Sequence, residues 1–279
     1  MPLAVLPLVL LAAVFHAAWN ALLKASENPL SLATRALSWG TVLSLPPVAV
    51  AWVATGRPGL PLAGWLLALA SAFLELIYFI TLSMAYQRGE LSVVYPIARG
   101  TAPLLAVLVG LLLLGERLHA IAAVGVVALL GGIWTVRRPA AASSALWPAL
   151  LTGVMIAAYT SLDRIGVRLG SPWIYGWLLW LFGAIFLIVY TTVRRVPGSR
   201  LTDDPRISVV IGVLMTAAYF MILFALSVAP LAIIAPLRES AIVLVTAWGI
   251  WRLGERRGAW LRVAGALAIV GGIALLTLG

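Results

Sequence analysis

Ten apolar runs follow one another along the 279-residue chain with little between them, near 2–24, 30–53, 61–86, 91–113, 119–136, 146–168, 172–193, 206–228, 231–252 and 259–278. A hydrocarbon core about 30 Å thick takes about 20 apolar residues of helix to cross, and the runs have that length. Within hydrocarbon, each backbone N–H and C=O needs a partner inside its own segment or around a closed barrel. The runs are too long and too continuously apolar for the alternating strands of a barrel. They predict an all-α integral membrane protein of ten transmembrane helices. Apolar residues make up 63% of the chain and charged ones 10%, which leaves little for a soluble domain. The interruptions SENP at 26–29, TGRPG at 55–59, QRGE at 87–90, RRPAAASS at 137–144 and RRVPGSRLTDDPR at 194–206 gather the proline, glycine and charge of surface turns. The first run lacks a basic flank and a small-residue cleavage site, and so reads as a span and not as a secretory signal.

The net charge of +10 does not point to nucleic acid, because the arginines lie mostly at span ends. Connections after spans 1, 3, 5, 7 and 9 hold about twelve basic residues, including Lys24, Arg88, Arg137, Arg138, Arg194, Arg195, Arg200, Arg206, Arg256 and Arg257. The opposite connections hold about four: Arg57, Arg117, Arg164 and Arg168. Basic loops stay cytoplasmic, so both termini are expected outside. With no cysteine and two histidines, neither a thiolate nor a His-rich metal centre is expected. The sequence has no glycine-rich phosphate loop, no HExxH and no serine-nucleophile elbow. No cofactor is implied, and uphill movement of a solute would draw on an ion or a second solute.

The phrase GERLHAIAAVGVVALLGGI, Gly115 to Ile133, returns as GERRGAWLRVAGALAIVGGI, Gly254 to Ile273. An offset of 140 extends the match over several helices: Trp19 falls on Tyr159, Lys24 on Arg164, Ala85 on Ala225, Leu91 on Leu231, Pro96 on Pro236 and Gly125 on Gly265, with a slip to 139 between the prolines and the GER phrase. The boundary falls between 1–140 and 141–279. Each unit crosses the membrane five times, and an odd number forces the second copy to enter from the other side. Two inverted five-helix repeats place a site near the midplane, where the copies meet.

PIARGTAPLLAVLVGLLLLGERLHAIAAVGVVALLGGI and its second version PLRESAIVLVTAWGIWRLGERRGAWLRVAGALAIVGGI resemble the two EamA domains of the ten-helix drug/metabolite transporter superfamily. The resemblance spans essentially the whole chain. It implies a basket-shaped bundle around a central cavity, in a bacterial inner membrane, and export or exchange of small metabolites by alternating access. It does not select among amino acids, amines, sugar derivatives and nucleotide sugars.

Polar residues inside spans carry the candidate site, since a charge there is tolerated only when it faces the bundle interior or water. The acids are Glu75, Asp163 and Glu239, and the bases Arg35, Arg99 and Arg238. Glu75 opens a stripe at helical spacing with Tyr78, Phe79, Leu82 and Tyr86. His16, Trp19 and Asn20 share a face of the first helix. Under the main offset Arg99 maps onto Glu239, each three residues past its proline, so that opposite charges occupy equivalent positions. The pair reads as an interhelical salt bridge, or as a clamp in which Arg99 takes a substrate carboxylate while Glu239 or Glu75 takes its ammonium. If the slip begins at the prolines, Arg99 matches Arg238 instead. Arg238 is expected to point about 100° away from its neighbour Glu239 and to pair elsewhere.

Tyr95, Tyr159, Trp173, Trp177, Trp180 and Tyr219 supply aromatic walls. Trp39, Trp52, Trp65, Trp147 and Trp260 read as interface residues. Asp163 is expected to pair with Arg164, and Glu116 and Glu255 to cap the following helices or pair with adjacent arginines. Glu75 and Glu239 are the candidate proton carriers.

The reading is a secondary transporter of a small zwitterionic or amphipathic metabolite, amino-acid-like, with membrane lipid around it and a proton or counter-solute as coupling partner, acting as monomer or homodimer. A choline-like amine is a rival cargo through cation–π attraction. An intramembrane enzyme or a lipid-headgroup scramblase is the rival class.

Overall fold

The computed structural model describes residues 5–113, 120–136, 143–197, 204–228 and 238–278. The expectations for Glu116, Arg117, Arg137, Arg138, Arg200, Leu231 and Pro236 lie outside the described residues. Those described form ten helices and no strand: α1 (Val5–Lys24), α2 (Pro29–Ala54), α3 (Leu62–Arg88), α4 (Leu91–Leu113), α5 (Ala120–Val136), α6 (Ser143–Gly166), α7 (Pro172–Val193), α8 (Pro205–Val228), α9 (Ala241–Trp251) and α10 (Ala259–Leu278). Seven of them, α1–α3, α6–α8 and α10, are long and apolar enough by themselves to cross a bilayer.

Local chemistry sets the ends and the bends. Asn28 caps α2 by accepting from Ser31 N at 3.3 Å, and Pro29 follows at the first helical position, where its missing N–H costs nothing. Serine and threonine hydroxyls turn back onto carbonyls one turn earlier, as in Thr41 to Leu37 O and Thr101 to Ile97 O, which satisfies the donors without water. Thr152 Oγ1 donates to Pro148 O at 2.7 Å and lies within hydrogen-bonding distance of Thr81 Oγ1, 2.9 Å away, tying α6 to α3. Trp39, Trp52, Trp65, Trp147 and Trp260 are exposed on the outside of the bundle, among many exposed leucines and valines.

The packing follows the repeat. With α1–α5 equivalent to α6–α10, the contact of α3 on α6 has its counterpart in α8 on α1, that of α2 on α8 in α7 on α3, and that of α4 on α6 in α9 on α1. The crossing of α5 against α10 is its own counterpart. A Cβ on Gly125 would stand 2.8 Å from Gly272 O, and one on Gly132 2.7 Å from Gly265 O. Gly265 is Gly125 plus 140 and Gly272 is Gly132 plus 140, so each glycine meets the equivalent of the other. The pairing runs antiparallel, as a twofold axis lying between inverted copies requires. Small residues let the two backbones touch, which is the main source of helix affinity where lipid is as apolar as leucine.

A second tie between the halves corrects the reading of Glu255. It caps neither the following helix nor an adjacent arginine, but the start of α4 in the other half, accepting from Leu91 N at 2.7 Å and Ser92 N at 2.8 Å. Arg262 completes the clamp, donating to Ser92 Oγ at 2.8 Å and to Glu255 O at 3.2 Å and pairing with Glu90. A helix start exposes N–H groups without intrahelical partners, and a carboxylate answers both their hydrogen-bonding need and the positive end of the dipole.

Candidate functional site

Glu75 is the middle residue of the 27-residue α3, about 20 Å from either end of the helix. It is 4% exposed, and its Oε2 has no hydrogen-bond partner. One turn on, Tyr78 and Phe79 continue its face in a T-shaped contact at 4.9 Å. All three line a cavity of about 630 Å³, well within the range of about 300–1,000 Å³ for small-ligand sites. His16 and Trp19 of α1, Arg99 of α4, Tyr159 and Asp163 of α6, Trp180 of α7, Tyr219 of α8 and Arg238 ahead of α9 line the same space. Both halves of the chain therefore contribute to one chamber. It extends to the end of α6, where exposed Arg164 and Arg168 form its mouth.

Several of these side chains are held by neighbours in the wall. Trp19 Nε1 donates to His16 Nδ1 at 3.2 Å, and their rings meet edge to face at 4.9 Å. Trp180 stacks on Tyr219 at 4.4 Å, and its Nε1 donates to Thr216 Oγ1 at 2.7 Å. Behind that hydrogen bond lies a second space, an apolar groove of about 440 Å³ bounded by Gly40, Pro47, Trp173, Thr216 and Phe220. Trp180 and Thr216 thus part a polar chamber from an apolar groove.

Arg99 and Glu239 form a bidentate pair, Nε to Oε2 at 2.9 Å and Nη2 to Oε1 at 2.7 Å, with side chains 5% and 6% exposed. Parallel N–H···O bonds between two forks are the strongest ion-pair geometry available to these groups. Arg238 does not pair elsewhere, as its position on a regular helix suggests. Its Nη2 lies 3.2 Å from Glu239 Oε1, because a long flexible side chain just ahead of α9 reaches back to its neighbour.

Three of the expected site residues do not line the chamber. Asn20 lies beneath it, donating to His16 O at 2.8 Å and accepting from Tyr86 OH at 2.7 Å. Tyr95 is buried behind His16 at 6.2 Å between rings, its hydroxyl without a partner. Glu239 sits behind Arg99. Asn20, Tyr86 and Lys24, which donates to Tyr86 O, close the end of the chamber opposite the mouth. Trp173 turns to the groove and stacks on Phe220 at 5.9 Å, while Trp177 donates to Thr41 O at 3.1 Å.

Asp163 is the residue the sequence reading misplaced. It does not pair with Arg164. Its Oδ1 accepts from Ser71 Oγ at 2.6 Å and Tyr175 OH at 2.9 Å, and its Oδ2 from Tyr219 OH at 3.1 Å. Adjacent helical residues point about 100° apart, so Asp163 faces the chamber at 5% exposed while Arg164 lies exposed at the mouth. That angular step was available in the sequence. Neither Asp163 nor Glu75 has a cation within salt-bridge distance among the described residues.

No curated protein matches the chain significantly. A solved crystal structure of another protein is similar to it with a TM-score of 0.66 over 99% of this chain and 98% of its own, at 18% identity. At that identity the likeness speaks for the fold alone. The model of the EamA-like transporter family matches residues 3–138 and again 143–278. Two matched units, ten helices and a chamber shared between the halves agree, and the chain belongs to the EamA-like transporter family, membrane proteins of the drug/metabolite transporter superfamily.

Proposed function

We propose that this protein is a secondary transporter of a small zwitterionic metabolite, amino-acid-like, that works by alternating access as an exporter. The observation that carries the reading is the chamber itself, which sets carboxyls, Glu75 and Asp163, and guanidiniums, Arg99 and Arg238, around one volume of about 630 Å³ among the membrane-spanning helices. Charges buried there are costly without a purpose or a partner, and a molecule carrying both signs supplies partners to both. Family membership supports transport in general.

Arg99 receives the cargo's anionic group, its forked pair with Glu239 loosening as the cargo seats. Of the two candidate proton carriers, Glu239 has both oxygens occupied by guanidiniums, whereas Glu75 Oε2 is buried without a partner. Glu75 is therefore the coupling residue. The basic loops support a cytoplasmic position for the end closed by Asn20, Tyr86 and Lys24. The mouth at Arg164 and Arg168 then faces outward, both termini lie outside, and the membrane is a bacterial inner membrane. The aromatic walls, with Trp180 on Tyr219, favour a second reading, a quaternary amine held by cation–π attraction.

The test is uptake and exchange of labelled amino acids, choline and phosphonates by proteoliposomes holding the purified protein, with product analysis of the recovered label. Concentrative or exchange-stimulated movement of an unaltered amino acid is expected. Chemically altered label without net movement would mark an intramembrane enzyme, and movement of phospholipid headgroups alone a scramblase. Either result overturns the reading.

A further inference from the structure

We infer that Asp163, Glu75 and Thr160 form a subsite for a primary ammonium, which makes the cargo a primary amine and excludes its quaternary analogue. The inference rests on the reading above and specifies one end of the same chamber.

Three observations on different side chains meet here. Asp163 is held by three hydroxyls, Ser71 and Tyr175 on Oδ1 and Tyr219 on Oδ2. A carboxylate has about four acceptor positions, so one is left, and Asp163 lines the chamber. Glu75 lines the same chamber with Oε2 unpartnered. Ser71, which holds Asp163, lies four residues before Glu75 on α3, and residues so spaced are neighbours on one face. Thr160 lines the chamber one turn before Asp163 on α6, and its Oγ1 also has no partner.

A buried acceptor without a donor costs more than the hydrogen bond it lacks would return. Three vacant acceptor positions from three side chains match the three N–H donors of a primary ammonium. A trimethylammonium has no N–H. It would meet the same charge and leave Glu75 Oε2 and Thr160 Oγ1 unanswered. A pocket built to hydrogen-bond a group rejects an analogue that lacks the donors more firmly than an apolar pocket rejects a change of size. The guanidiniums Arg99 and Arg238 border the same volume, so the ammonium and the anionic group of one cargo have separate seats.

The experiment measures initial rates in proteoliposomes for the twenty labelled L-amino acids, and then for the fastest of them against its N,N,N-trimethyl derivative. Wild type is expected to carry the parent and not the trimethyl form. Asp163→Asn is expected to raise KM for the parent about tenfold or more, the loss of a hydrogen bond to a charged group, with a smaller change in kcat. Thr160→Val is expected to raise KM less, and Asp163→Glu to keep the discrimination. Equal transport of parent and trimethyl derivative, or an unchanged KM in Asp163→Asn, overturns the subsite and leaves the transporter reading standing. If Asp163→Asn fails to fold, the wild-type comparison of the two cargoes decides. No flux of any amino acid overturns both.

Discussion

Arg99 and Glu239 grip each other by two parallel hydrogen bonds of 2.9 and 2.7 Å, and they stand 140 positions apart, the same interval that relates Gly125 to Gly265 and Gly132 to Gly272. Equivalent residues of two copies can touch only beside the axis that relates the copies. The pair therefore marks that axis, at the edge of the chamber.

Neutralising the two partners should not be equivalent. Arg99→Gln leaves Glu239 with Arg238 at 3.2 Å, whereas Glu239→Gln leaves two guanidiniums facing each other without a counterion. Breaking a buried ion pair costs about 3–5 kcal/mol when one charge is stranded, so Glu239→Gln should lower the melting temperature in detergent more than Arg99→Gln. The exchanged double variant Arg99→Glu with Glu239→Arg should recover part of the loss. A larger drop for Arg99→Gln would refute this account of the pair.

Glu75 should behave in the opposite way. Its Oε2 makes no hydrogen bond, so Glu75→Gln removes a buried charge without stranding another and should leave the melting temperature equal or raised. Stimulation of flux by a pH gradient should be lost, and KM for the cargo amine should rise because the same carboxyl borders its ammonium seat. Gradient-stimulated flux at the wild-type level in Glu75→Gln would remove this residue from the coupling step.

The glycine crossing gives a paired test within one helix. Gly132→Ala would set a Cβ 2.7 Å from Gly265 O, while Gly131 has no atom within 4 Å of its Cβ position. Overpacking of this kind costs about 1–3 kcal/mol, so Gly132→Ala should melt lower and Gly131→Ala should not. Equal melting points would mean that α5 and α10 are not locked by this contact.

Because the sequence has no cysteine, a single introduced one reports alone. Gly59→Cys, in the connection between α2 and α3, and Arg256→Cys, between α9 and α10, are exposed positions at opposite ends of the bundle. In intact cells an impermeant thiol reagent should label Gly59→Cys and spare Arg256→Cys. The reverse pattern would invert the orientation.

Much of the fold could be read from the chain because its causes are periodic. Apolar length gives the helices, and the single offset that links Gly125 with Gly265 also gives the inversion that the α5–α10 crossing displays. The site was legible only where a helical face points one way for a short distance. Glu75, Tyr78 and Phe79 lie together on that ground, but the same stripe carried on to Tyr86 leaves the chamber and enters its floor, where it meets Asn20. Asp163 was misread because nearness along the chain was taken for nearness in space. The partner of Glu255 lies at Leu91 and Ser92, in the other half of the protein, and no local pattern announces a contact over such a separation.

Two separate, identical subunits could not assemble the contact between Arg99 and Glu239. On a true symmetry axis a side chain meets its own duplicate, so an arginine would confront an arginine and a glutamate a glutamate. Fusing the copies into one polypeptide released each from the obligation to match, and the asymmetry reaches the chamber walls, where Asp163 stands opposite Leu23 and Glu75 opposite Met215 in the register of the two halves. A molecule lodged there has a distinguishable head and tail, and the carrier is polar about a frame that is not.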